Sequence, residues 1–88
     1  MKVILSDRAE KSLRKSSKVI QIIIAKKIRK IKDSANVLNE ERLEGFKNIF
    51  RIRIGDYRIV YRKTKNELYV VLLAHRREVY RLLKRLLG

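Results

Sequence analysis

The spacing of apolar residues changes period along the chain, and each change predicts an element. Met1 to Leu5 reads as a short strand, and Ser6-Asp7 followed by Glu10 reads as a helix start, with Asp7 able to cap and Glu10 at the capping-box position. Ser16-Ser17 interrupts this first helix and can cap a second. In the second, Ile20, Ile23, Ile24, Ile28 and Ile31 recur at helical spacing while Lys26, Lys27, Arg29, Lys30 and Lys32 fill the other side. β-Branched residues lower helix propensity, so this stripe is expected to be docked against a core.

Asp33 to Gly45 has no clean period and carries Asn36, Asn39 and Gly45. It reads as a connection with a helical turn around Asn39 to Leu43. From Ile49 the period becomes two. Phe50, Ile52 and Ile54 alternate with Arg51 and Arg53, and after Gly55-Asp56 the residues Tyr57, Ile59 and Tyr61 alternate with Arg58, Val60 and Arg62. A two-residue loop with Gly first predicts a type II′ hairpin. That turn pairs Ile54 with Tyr57, Arg53 with Arg58, Ile52 with Ile59, Arg51 with Val60 and Phe50 with Tyr61. Leu68 to His75 is a nearly continuous apolar strand suited to the sheet interior, and Val79, Leu82, Leu83 and Leu86 close the chain as an amphipathic helix. The expected class is α+β: a mainly antiparallel sheet of about four strands, two N-terminal helices and a C-terminal helix, with the helices on one sheet face and the arginine face open.

Composition narrows the chemistry. With 88 residues the chain is expected to form one domain, residues 1–88, with a single core. It has no Cys and 1 His, which removes thiolate metal sites and imidazole clusters, so no metal and no cofactor are expected. The longest apolar run, Leu68 to Ala74, is far short of the roughly 20 residues of a membrane span, so no membrane partner and a cytoplasmic location are expected. The formal net charge of +15 is spread over both halves of the chain. It therefore belongs to folded surface and calls for a polyanionic partner.

The hairpin gathers that charge. One side carries Phe50, Ile52, Ile54, Tyr57, Ile59 and Tyr61; the other carries Arg51, Arg53, Arg58 and Arg62. A merely solvated face would mix charges, whereas this one has no acid except Asp56 in the turn, and the planar fork of arginine suits phosphate. Arg53 directly opposite Arg58 is a destabilising like-charge pair that an external anion would relieve. The junction His75-Arg76-Arg77-Glu78-Val79-Tyr80-Arg81 lacks a good helix cap and places further basic groups beyond the apolar strand.

Leu43-Glu44-Gly45, the run Phe50 to Tyr61, and His75-Arg76-Arg77-Glu78-Val79-Tyr80 together resemble the RelE/ParE superfamily of toxins from toxin–antitoxin pairs. The likeness spans nearly the whole chain, and the branch it resembles most is RelE. That resemblance implies the RelE-like (microbial RNase-like) fold and a ribosome-dependent endonuclease that cuts mRNA in the ribosomal A site. The reaction it implies is metal-independent attack of the ribose 2′-OH. The implied partners are the ribosome, mRNA and a RelB-type antitoxin. Arg58 matches the family's phosphate-stabilising arginine, Arg76 or Arg77 the second basic group, and Tyr80 the aromatic that stacks on a base. Arg53 joins Arg58, Arg76 and Tyr80 in the catalytic set, with Lys47, Arg51, Arg62, His75, Arg77 and Arg81 as RNA contacts.

One departure concerns the proton acceptor. Relatives often carry Lys on the strand before the hairpin, where this chain has Arg51 and Arg53, and arginine does not serve as a base at ordinary pH. Lys47, His75 and Tyr80 are the candidates in its place. A two-residue turn at Lys65-Asn66 would pair Arg62 with Tyr69, Val60 with Val71 and Arg58 with Leu73, bringing His75 to the arginine face by parity. Two other readings share these residues: a ParE-like inhibitor of DNA gyrase without nuclease chemistry, and a plain RNA-binding module.

Overall fold

The computed structural model describes residues 2–33, 37 and 39–87. Its elements are β1 (Lys2–Leu5), α1 (Asp7–Lys15), α2 (Lys18–Asp33), β2 (Glu41–Arg42), β3 (Ile49–Ile54), β4 (Tyr57–Lys63), β5 (Glu67–His75) and α3 (Val79–Leu87). The α+β class holds, but the sheet has five strands in the order β1-β5-β4-β3-β2. It is mixed, because β1 runs parallel to β5, with Leu5 beside Val70.

Local chemistry explains the boundaries. Ser6, rather than Asp7, caps α1: its hydroxyl accepts from the Ala9 N–H at 3.0 Å and donates to the Val71 carbonyl at 2.7 Å. The single residue thus starts the helix and ties it to β5. Ser17 caps α2 by accepting from the Ile20 N–H at 3.3 Å. Gly55 alone in the hairpin turn takes a positive φ, +56°, as a type II′ turn requires of its first residue.

The expected helical turn at Asn39 to Leu43 is absent. Asn39 adopts φ +66° and the next residues extend instead, so that Glu41 pairs with Arg51 and Arg42 with Phe50. An edge strand of two residues has too short a pattern to declare its period. Asn36, in the same connection, lies outside the described residues.

Two cores sandwich the sheet. On one face α1 and α2 pack Ala9, Ile24 and Ile31 onto Ile52, Ile59, Tyr61, Leu68, Val70 and Leu73. On the other, Val79 and Leu83 of α3 pack onto Ile49, Val60, Val71, Leu72 and Ala74. The arginine face is therefore not open along its length; α3 covers its centre. Ile23 also departs from the expected stripe: it is exposed with Val19 and Ile22, and the docked line of α2 runs through Ile20, Ile24, Ile28 and Ile31.

Tyr61 is fully buried, stacked on Phe50 at 5.9 Å, and its hydroxyl donates to the Glu40 carboxylate, which also lies 3.6 Å from Lys63 Nζ. Burial, then the hydrogen bond to Glu40 and its negative charge, push the Tyr61 phenol above its ordinary value. The folded state thus keeps the proton at a pH where the unfolded chain loses it, from about pH 10 upward. Stability contributed by this group is complete below that pH and is lost as pH rises toward the higher folded value. Alkaline unfolding followed by circular dichroism should therefore show a shallower loss above pH 10 in Tyr61→Phe than in the wild type; equal slopes would show that Tyr61 does not govern the transition.

Candidate nucleic-acid interface

The predicted hairpin register is observed from Ile54↔Tyr57 through Phe50↔Tyr61, with Arg53 opposite Arg58. Arg58 stands beside Ala74 on the next strand and is only 7% exposed. One nitrogen of its guanidinium donates to the carbonyls of Gly55 at 3.0 Å and Tyr57 at 2.9 Å, which pins the fork to the turn. Burial, and after it the like charges of Arg53, Arg51 and Arg76, lower the Arg58 pKa, while Asp56 opposes them.

The surrounding groups arrive from four elements. Arg51 is held by the Glu41 carboxylate of β2, and its guanidinium lies 5.6 Å from the centre of the Tyr80 ring, a cation–π geometry. Its Nε is buried without a hydrogen-bond partner among the described residues. Arg53 is exposed beside Arg58. Arg76 follows β5; its N–H donates to the Asp56 carbonyl at 2.7 Å and its Nε stands 3.8 Å from the Asp56 carboxylate. Tyr80 is half exposed, 50%, so it is not a core aromatic. Four guanidiniums thus converge against two carboxylates, Glu41 and Asp56, with an aromatic ring at the edge. The arrangement favours a bound anion and offers a ring for stacking.

The structure places the other candidates elsewhere. Arg62 is exposed at the far end of β4, beside Ile49 and Tyr69, and Lys47 is exposed in the turn just before Ile49. Arg77 is exposed and its backbone N–H donates to His75 Nδ1 at 3.2 Å; of the two junction arginines, Arg76 is the one tied to Asp56 in the hairpin turn. Arg81 is exposed and paired with Glu78 at 3.6 Å.

His75 overturns the parity argument. The chain does turn at Lys65-Asn66, and Arg62 does pair with Tyr69, but the register shifts between Val60 and Tyr61. Val70 faces Tyr61 while Leu72 faces Val60, so Val71 is the extra residue of a β-bulge. Beyond it every side chain changes side: Arg58 pairs with Ala74 instead of Leu73, and His75 pairs with Tyr57 on the α1/α2 face, their rings 6.0 Å apart. Nothing in an unbroken apolar run marks which residue bulges.

Glu41 was missed by the sequence reading, because its segment has no period; its only signal was that it is an acid close in sequence to a strongly basic hairpin. Among the described residues no group of three or more His, Asp or Glu side chains is placed to hold a metal ion. Nor is any described helix long and apolar enough to cross a membrane.

Comparison with known proteins agrees with this fold. The isolated RelE toxin of E. coli superposes with a TM-score of 0.74 at 25% identity, over 98% of each chain. A chain of the RelB–RelE antitoxin–toxin complex from Methanococcus jannaschii gives 0.74 at 21% identity, covering 90% of this chain and 96% of that one. A chain of the archaeal RelE–RelB complex from Pyrococcus horikoshii gives 0.70 at 23%, covering 85% and 93%. A search of curated protein sequences finds no match. The family described as the ParE toxin of type II toxin–antitoxin systems matches residues 3–80. The chain therefore belongs to the ParE toxin family of the RelE/ParE superfamily, the toxins of type II toxin–antitoxin systems.

Proposed function

We propose that this toxin is a ribosome-dependent endoribonuclease that cleaves mRNA in the A site. The observation that carries the reading is the convergence of Arg53, Arg58 and Arg76 beside the Arg51–Tyr80 stack. In the reaction the ribose 2′-oxygen attacks the adjacent phosphorus as its proton passes to a solvent water. The P–O5′ bond then breaks, the 5′-oxygen takes up a proton, and a 2′,3′-cyclic phosphate remains. The crowded phosphorane carries extra negative charge, which fixed guanidiniums stabilise more strongly than they stabilise the ground state.

Arg58 suits that role because its fork is pinned before substrate arrives, and Arg53 adds a mobile charge from the solvent side. Arg76, tethered to Asp56, supports the leaving oxygen. Tyr80 stacks on a base and so orients the sugar for in-line attack. With His75 on the other face, the reading leans on electrostatics and on positioning by the ribosome.

A gyrase-directed reading is favoured by one observation: the family matched in sequence is that of ParE. The two are separated by adding the purified protein to mRNA-programmed ribosomes and, in parallel, to a gyrase supercoiling reaction. New mRNA 5′ ends with unimpaired supercoiling are expected; lost supercoiling with intact mRNA would overturn the nuclease reading.

The RelE toxins of M. jannaschii, E. coli and P. horikoshii were crystallised with RelB antitoxins. By analogy this toxin is held by a RelB-type antitoxin, acidic and partly disordered, that covers its basic surface. Hydrogen exchange on the complex should show protection of the Arg51 to Arg62 hairpin or of His75 to Leu87; protection of neither would contradict this account of inhibition.

A further inference from the structure

We propose that the cleft between α1 and α3, on the opposite side of the His75–Glu78 turn from the arginine cluster, is a second nucleotide-binding site. It would hold a phosphate–base unit of the same single-stranded RNA. This inference rests on the RNA reading of the arginine face and extends the path of the strand beyond it.

The cleft has a volume of about 460 Å³, enough for a nucleotide. Arg8, Ser12 and Lys15 line one wall, at positions of α1 that fall on one helix face, and Arg81 of α3 lines the other. Glu78 is the acid in its lining, and it lies 3.6 Å from Arg81, which offsets its charge. Leu73, Tyr57 and His75 contribute an apolar and aromatic surface. His75 Nδ1 accepts the Arg77 N–H, so in the neutral ring Nε2 carries the proton and remains a donor. Cations and donors suited to phosphate therefore meet rings suited to a base, the pairing used by proteins that bind single strands.

Continuity with the arginine cluster comes from the backbone. His75 lines the cleft, and the next residue, Arg76, is tied to Asp56 in the turn of the hairpin that carries Arg58. A strand crossing this turn passes from one set of cations to the other. In the other direction Arg8 also lines a neighbouring hollow of about 410 Å³ that includes Arg62 and Tyr69.

An acidic peptide is the less favoured occupant. Extended peptides gain much of their affinity by pairing with a free strand edge. Here the edge of β5 is engaged as far as Val71, where the Ser6 N–H donates to the Val70 carbonyl at 2.9 Å and the Ser6 hydroxyl donates to that of Val71, which leaves a peptide only the short stretch from Leu72 to His75.

The test is fluorescence anisotropy with a labelled ten-nucleotide single-stranded RNA across a salt series. It compares the wild type, Arg8→Ala/Lys15→Ala, Arg53→Ala, and Lys26→Ala/Lys30→Ala as a control for total charge. All these side chains are exposed, so the fold is expected to survive. The cleft variant should lose at least about tenfold in affinity and lower the slope of log K against log salt by about 1.4, the value for two phosphate contacts on a single strand. The α2 control should change affinity by less than about twofold. Equal losses in the cleft variant and the control would mean diffuse attraction and overturn the proposal. A loss only in Arg53→Ala would overturn the cleft while leaving the arginine face as an RNA site. A loss in the cleft variant with Arg53→Ala unaffected would uphold the cleft and count against the arginine-face reading. Binding of a polyglutamate peptide, and not RNA, through Arg8 and Lys15 would replace the proposal with a protein-docking site.

Discussion

Arg58→Ala should lower ribosome-dependent mRNA cleavage by about 10² to 10³, the usual cost of removing a donor aimed at charge that develops in the transition state. The geometry adds a structural cost. The buried guanidinium bonds two carbonyls of the hairpin turn, at Gly55 and Tyr57. Bonds of this charge-assisted kind contribute about 1.5–3 kcal/mol, partly offset here because the change also relieves repulsion from Arg53, Arg51 and Arg76. Against the roughly 5–15 kcal/mol of a typical domain, the variant stays mostly folded, so its lost activity is not lost fold. Single-turnover cleavage on programmed ribosomes, read beside a thermal melt of the same sample, separates the two. Near-wild-type cleavage by a folded Arg58→Ala protein would remove Arg58 from the site.

The largest effect on stability is expected at Leu72. This residue is fully buried, follows the Val71 bulge and faces Val60 beneath α3, so it joins the sheet to the C-terminal helix. Truncating a core leucine to alanine costs about 2–5 kcal/mol, because lost transfer energy adds to the cavity left behind. For a domain of this size that converts to a fall in Tm of about 10–30 °C. A drop of only a few degrees in a calorimetric melt of Leu72→Ala would mean that α3 does not pack on the sheet as described.

The contrast between these two residues shows what the sequence displays. Arg53 opposite Arg58 was legible because a glycine-led two-residue turn sets the register of everything beside it, and the alternation of Ile and Arg then assigns the faces. The burial of Arg58 was not legible, since nothing in the alternation tells that its guanidinium folds back onto the Gly55 and Tyr57 carbonyls of the turn. The α3 stripe announced an apolar face without saying which surface it would cover.

His75 fails for a different reason. Its face depends on a count of residues through β5, and one bulged valine in an unbroken apolar run alters that count without a compositional mark. Glu41 was hidden by brevity: two residues cannot show a period, and only the pairing of Glu41 with Arg51 reveals β2. The site elements that were legible are those governed by local rules, namely turn chemistry and strand alternation. Those that were not depend on long-range packing of α3 and on a shift within a strand.

The central claim is that the converging arginines act on mRNA during translation. It is tested most directly by inducing the toxin in a host that carries two copies of one message, identical except that one lacks its start codon, and mapping 5′ ends by primer extension. The account predicts new ends within the coding region of the translated copy, none in the untranslated copy, and their disappearance with Arg58→Ala. Intact messages from both copies, accompanied by loss of plasmid supercoiling, would contradict it.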